Sequence, residues 1–298
     1  MQLSSSLLYD RASSRMSALT ATATKLQTQL ATGKKYSNPS ENVAVSQQIA
    51  EFDRKDANSA AYKTNLDFSG SLLKQADSTL GSIGDQLTRA REIATQAANG
   101  TLSGSNLKSL GEELSSIVDG LVGLGNTADL RGQPLFGSAA GTPAVVRNAD
   151  GTFTYNSAPK LAEIPIGDGL TMQPTETASR IFTSGSGDTL ANLVALSEAL
   201  KTGTNATTAA ANALTSIGDA NDQVSLVQAS VGARETRVEM QQNLLTSADA
   251  DRAELRSSIE DTDMTSTITE LQKTMTILSA TQASFSKLSS LSLFDYIK

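Results

Sequence analysis

The chain has 298 residues, 24 basic against 31 acidic side chains, a net charge of −7, 4% aromatics and no His, Cys or Trp. The missing imidazoles and thiols exclude Ser-His-Asp and Cys-His nucleophiles and the metal sites those groups build, so neither an enzyme nor a cofactor is expected. The acidic balance argues against a nucleic-acid or anionic-membrane partner, which would need a basic stripe, and few aromatics suit long helices better than a thick core.

The opening MQLSSSLLYDRASSR has no apolar run behind a positively charged start, so no cleaved signal peptide is expected. No stretch reaches the length of a membrane-spanning helix. From Tyr9, steps of three and four residues meet Ala12, Met16, Leu19, Ala23, Leu26 and Leu30, a heptad seam. Gly33 then stops the helix, Pro39 breaks it and Ser40 is the expected N-cap of the next. The second seam runs from Tyr62 through Leu66, Leu73, Leu80, Ile83 and Leu87 to Ala97, with a break expected near Gly70. After Asn99-Gly100 a further helix restarts, weakened by Gly111, Gly120 and Gly123.

The helical period disappears after Gly137. VVRNADGTFTYN predicts two short strands joined at Asp150-Gly151, and Gly167, Asp168 and Gly169 predict another turn. Helix reopens at SGDTLANL with Ser186 or Asp188 as cap. A long helix over about 207–259, roughly 80 Å at its ordinary rise, carries a third seam through Val224, Val227, Val231 and Val238. The fourth seam is Met264, Ile268, Leu271, Met275, Leu278 and Phe285, with Gln282 its lapse.

Four seams in one chain predict an elongated antiparallel helical bundle or coiled-coil rod, its N- and C-terminal helices paired at one end, with a small β-rich insert. The expected divisions are 1–40 pairing with 261–298, a helical rod of 41–138 and 188–260, and an outer insert at 139–187. A greasy stripe at each terminus is a liability unless the ends meet each other or a neighbouring subunit. Met16, Leu19, Leu26, Leu30, Met264, Ile268, Leu271, Met275, Leu278 and Phe285 are therefore the candidate assembly seam.

Other motifs carry less. Asp249, Asp251, Glu254 and Glu260 fall on a calcium-loop spacing, but Glu254 stands where that loop needs Gly. Gly33-Lys34-Lys35 lacks the upstream Gly and following Ser or Thr of a phosphate loop. Glu112 and Glu113 are adjacent on a helix and point apart, poor geometry for an acid and base pair.

LATGKKYSNPSENVAVSQQIAEF, LTRAREIATQAANGTLSGSNLKSLGEEL and the closing SLSLFDYIK resemble the flagellin superfamily over both helical arms. Asn38-Pro39-Ser40, NTADLRGQPLFGS and SLSLFDYIK resemble its hook-associated branch more than filament flagellin, although Gln133-Pro134 replaces that branch's usual Arg-Tyr. The resemblance implies a structural protein of the bacterial flagellum, outside the cell, exported unfolded through the flagellar type III apparatus with a cytoplasmic chaperone. It implies self-association into an adaptor ring between the hook-side associated protein and the flagellin filament. A short filament flagellin and, from another class, a cytoplasmic coiled-coil regulator are the alternatives. Arg89, Ile93 and Glu113 match flagellin positions read by the innate flagellin receptor, with Ile in place of Leu.

Overall fold

The computed structural model describes residues 2–129, 131–137, 141–157 and 163–294. Leu130, Ser138 and the closing Asp295–Lys298 of the terminal motif lie outside the described residues, as do Ala139 and Ala140 at the head of the insert. Among the described residues seven α-helices occur: α1 Gln2–Thr32, α2 Val43–Ala98, α3 Gly104–Gly125, α4 Ala178–Phe182, α5 Thr189–Thr202, α6 Ala206–Glu260 and α7 Met264–Phe294. Between α3 and α5 the described residues form six short strands: β1 Val145–Arg147, β2 Phe153–Tyr155, β3 Ile164–Gly167, β4 Leu170–Met172, β5 Thr183–Ser184 and β6 Gly187–Asp188. The fold is mainly α. The chain divides into two compact units, a central one of Asn58–Thr246 and a terminal one from the chain on either side, and α2 and α6 contribute residues to both.

In the terminal unit α1 packs along α7. Both ends of this antiparallel hairpin are tied: Tyr9 meets Phe285 near one end, and Lys34 pairs with Asp261 in an antiparallel bridge at the other. Gly33 leaves α1 with φ +70°, the left-handed exit that glycine takes without steric penalty. Pro39–Glu41 forms a 3-10 turn, and the helix cap differs from expectation. Asn42, two residues beyond Ser40, accepts from the Val45 N–H at 3.2 Å and starts α2.

The central unit has one core. The α2 seam from Leu66 to Ala97 packs with Leu114, Val118 and Leu121 of α3, Leu190, Leu193 and Leu200 of α5, and Ile217, Val224, Val227 and Val231 of α6. No break occurs at Gly70, because a glycine inside a helix costs only about 1 kcal/mol and the flanking Leu66, Leu72 and Leu73 are buried. At Gly111 α3 lies directly against the backbone of α5. A Cβ there would lie 2.8 Å from the Lys201 side chain and 3.0 Å from the Ser197 carbonyl oxygen, and Ser197 Oγ donates to the Gly111 carbonyl at 2.8 Å. Ser103 caps α3, and Asp188 caps α5 by accepting from the Ala191 N–H at 3.1 Å.

Each strand pair is an antiparallel hairpin. β1 and β2 match Val145 to Tyr155 across the turn containing Asp150-Gly151, and β3 and β4 match Ile164 to Met172 across Asp168-Gly169. Gly151 and Gly169 take φ +86° and +69°, which accounts for glycine at both turns. The described residues of the insert expected at 139–187 pack on the helices. Val145, Ile166, Met172, Ile181 and Phe182 belong to the same buried core as α2, α3, α5 and α6. Two-stranded hairpins cannot hold themselves together in water, so they fold by laying their apolar faces on the helices.

Candidate assembly surface

The terminal hairpin places the expected seam residues on two different faces. On α1, Ala23 and Leu26 are buried and Tyr9, Ala12, Met16, Leu19 and Leu30 half-buried. Their counterpart on α7 is the row Thr267, Leu271, Thr274, Leu278, Thr281 and Phe285, spaced three and four residues apart. Met264, Ile268 and Met275 fall outside that row and are 47%, 45% and 43% exposed. The intrachain seam of α7 is thus rotated from an all-apolar seam by threonines. Stepping through apolar residues alone misses Thr267 and Thr274, whose small β-branched side chains let the helices come close. The Thr262 and Thr267 hydroxyls meet at 3.2 Å, beneath Asp263, whose carboxylate accepts from the Ser266 N–H at 3.1 Å.

The α1–α2 and α6–α7 junctions are bonded to one another. The Lys35 N–H donates to the Glu260 carbonyl at 2.6 Å, the Thr262 N–H donates to the Gly33 carbonyl at 2.9 Å, and Lys34 Nζ lies 3.4 Å from the Glu260 carboxylate. Gln29 Nε2 donates to the Lys35 carbonyl at 2.8 Å. Below them Arg256 pairs with Asp53, whose hydrogen bond holds the guanidinium pKa above its ordinary value, and Arg252 bridges Asp56 and Asp249. These ion pairs occupy Asp249 and Glu260, two of the four carboxylates on the calcium-loop spacing. Lys34 of the Gly-Lys-Lys run is engaged in the same network.

In the central unit Arg89 on α2 donates to Glu113 on α3 at 2.7 Å and to Glu92 at 2.7 Å, and these hydrogen bonds, Glu92's first, raise its pKa. Ile93 is fully buried in the core. Of the three receptor-matching positions only Arg89 and Glu113 therefore lie at a surface, because the α2 seam turns Ile93 inward. Glu112 lies outside this ion pair and is exposed.

Sequence reading missed a second set of contacts that fixes the insert. Tyr62 Oη donates to Asp168 at 2.8 Å and Asn65 Nδ2 donates to the Pro165 carbonyl at 2.8 Å, holding the β3–β4 hairpin on α2. Arg234 of α6 donates to the Gln173 and Thr175 carbonyls at 3.1 and 3.2 Å and pairs with buried Glu176, which also binds Arg180 at 2.7 Å. Nothing in the spacing of a lone Arg in a seam announces a partner some sixty residues away in loop.

Residues 4–140 match the bacterial flagellin N-terminal helical region, and residues 214–297 match the bacterial flagellin C-terminal helical region. The chain belongs to the flagellin superfamily. Among its curated relatives, the flagellar hook-associated protein 3 of Salmonella typhimurium is 27% identical over 184 residues, 62% of this chain and 57% of that protein. The flagellar hook-associated protein 3 of Escherichia coli is 24% identical over the full length of both chains. The crystal structure of the flagellar hook-associated protein-3 of Legionella pneumophila shares the fold at a TM-score of 0.65 and 16% identity, covering 71% of this chain and 98% of that one. Members of this superfamily are structural proteins of the flagellum, which fits a surface built from helix faces. Among the described residues no helix is long and apolar enough to cross a membrane.

Proposed function

We propose that this chain is a junction subunit of the bacterial flagellum, assembling as a ring that joins the hook-side associated protein to the first flagellin subunits. The single observation that carries the reading is the double character of α7. One face is closed by α1 through Leu271, Leu278 and Phe285, and a second, apolar and solvent-facing, carries Met264, Ile268 and Met275. A face of this kind is stable in an assembly and a liability in a monomer. The full-length relation to the Escherichia coli hook-associated protein 3 supports the junction over other positions in the flagellum.

The partners follow from the place. Copies of this chain flank each other in the ring, the hook-side associated protein lies below and flagellin above, and the flagellar export apparatus with a cytoplasmic chaperone delivers the chain outside the cell. A second reading, a short filament flagellin, is favoured by the match of both helical arms to the flagellin regions themselves. Deletion of the gene separates the two. Full-length hooks with unattached flagellin in the medium are expected of a junction subunit, whereas loss of flagellin itself would sink that reading in favour of the second.

A further inference from the structure

Asn99-Gly100 is the sole Asn-Gly pair in the sequence. It sits at the exit of α2, which ends at Ala98, so neither residue is inside a helix. Both are exposed, and among the described residues none is hydrogen-bonded to the Asn99 side chain. Gly100 holds φ +66°, and its N–H reaches the Ala97 carbonyl only at a long 3.4 Å. A Cβ on Gly100 would meet nothing nearer than Thr207 Oγ1 at 3.8 Å, so no neighbouring side chain or backbone crowds the Gly100 α-carbon.

We propose that Asn99 is a site of spontaneous deamidation in the folded protein, with water as the co-reactant. The Gly100 backbone nitrogen attacks the Asn99 side-chain carbonyl carbon and closes a five-membered succinimide. The carboxamide C–N bond breaks, and its nitrogen leaves as ammonia with the proton given up by Gly100. Water then adds to either imide carbonyl. Opening at the backbone carbonyl leaves isoaspartate, with the chain running through the former side chain; opening at the other leaves aspartate. Glycine at position 100 speeds the closure, because a Cβ there would crowd the attacking nitrogen and restrict the backbone.

The comparable Asp-Gly turns are held. Asp150 accepts from the Thr152 N–H and hydroxyl at 3.0 and 2.6 Å, and Asp168 accepts from Tyr62. Both products at 99 alter the same pole of the central unit. A carboxylate appears at the C-terminal end of α2, where the helix dipole disfavours negative charge. Isoaspartate also lengthens the backbone of a turn whose neighbours Ala97, Leu102 and Leu107 line one crevice with Asn205 and Ala206.

The test is peptide mapping by mass spectrometry of the intact full chain after incubation at mildly alkaline pH. Asn58 and Asn106, both exposed but within helices, serve as internal standards. Conversion at Asn99 running ahead of both, with isoaspartate and aspartate formed together, is expected. An intact Asn99 in the folded chain, beside a urea-unfolded sample that converts, would overturn the proposal, as would aspartate appearing without isoaspartate. Gly100→Ala is expected to suppress conversion. Asn99→Gln, which leaves Gly100 and its left-handed turn untouched, is expected to give no product at 99. Conversion at the wild-type rate in either variant refutes the imide route.

Discussion

Tyr9 and Phe285 meet edge to face, ring centroids 5.3 Å apart and planes at 87°, and so fix the register between α1 and α7 near the far end of the terminal hairpin. An aromatic pair of this geometry contributes about 0.5–1.5 kcal/mol beyond the area it buries. Phe285→Ala is therefore expected to raise amide exchange along α7 and the early part of α1 while leaving the central unit protected. Unchanged exchange at Tyr9 would show that the register is set elsewhere.

The two faces of α7 predict opposite outcomes for the same kind of substitution. Ile268→Asp places a charge on an exposed face and is expected to keep the monomer's helical circular dichroism while abolishing incorporation into flagella. Leu26→Asp buries an unpaired charge inside the chain's own hairpin, at a penalty of several kcal/mol, and is expected to separate α1 from α7 before any assembly. Flagella of normal length on the Ile268→Asp variant would remove the assembly role from this face.

Replacing residues 140–185 with a Gly/Ser linker is expected to unfold the central unit, since Val145, Ile181 and Phe182 leave its core with the insert. Phe182→Ala alone should lower stability by about 3–5 kcal/mol, the ordinary range for a buried aromatic truncated to alanine. Thermal denaturation reads both. A linker variant melting like the wild type would mean the helices close without their β-hairpins.

Gly111 and Gly120 share a helix and part company under the same change. Gly111→Ala forces a methyl against the Ser197 carbonyl and Lys201 and should destabilise by about 1–3 kcal/mol. Gly120→Ala meets no atom within 4 Å and should stabilise α3 by up to about 1 kcal/mol. The contrast in denaturant midpoints between the two variants checks the α3–α5 packing directly.

Asp129 supplies the pH dependence. Burial pushes its carboxyl up, but the N–H groups of Gln133 and Arg131 at 2.9 and 2.8 Å, with the Arg131 guanidinium, outweigh this and hold its pKa below the ordinary 3.8. A depressed folded pKa gives stability that is full above the unfolded value and is lost as pH falls through the folded one. The loop over 127–136 should therefore stay ordered at pH values where an ordinary Asp is already protonating. NMR titration of the Asp129 carboxyl midpoint above 3.8 would contradict the geometry.

Helix existence and the central seam were legible because period and length agreed: α6 at Ala206–Glu260 is the long helix read over 207–259, and Leu66 to Ala97 is a seam in both. The hairpins at Asp150-Gly151 and Asp168-Gly169 were legible from turn chemistry. What escaped was the partner of each surface. Apolar spacing says that a residue wants burial and not against what, so the packing of Val145, Ile181 and Phe182 on the helices left no mark in the stripes, and the match of Ile93 to a receptor-read position carried no sign of its burial. The rotation of the α7 seam escaped because threonine counts as polar in any stripe yet packs like valine at a close helix approach.

The cross-bonding of the two helix junctions has a mechanical consequence. Lys35 holds Glu260 while Thr262 holds Gly33, so neither α1 nor α7 can turn about its own connection without first breaking the other's hydrogen bonds. Torque applied to one helix is delivered to both, and the terminal pair behaves as a keyed shaft: load is shared by two strands of chain at a coupling made of backbone, which a side-chain substitution cannot remove unless, like proline, it deletes a backbone N–H.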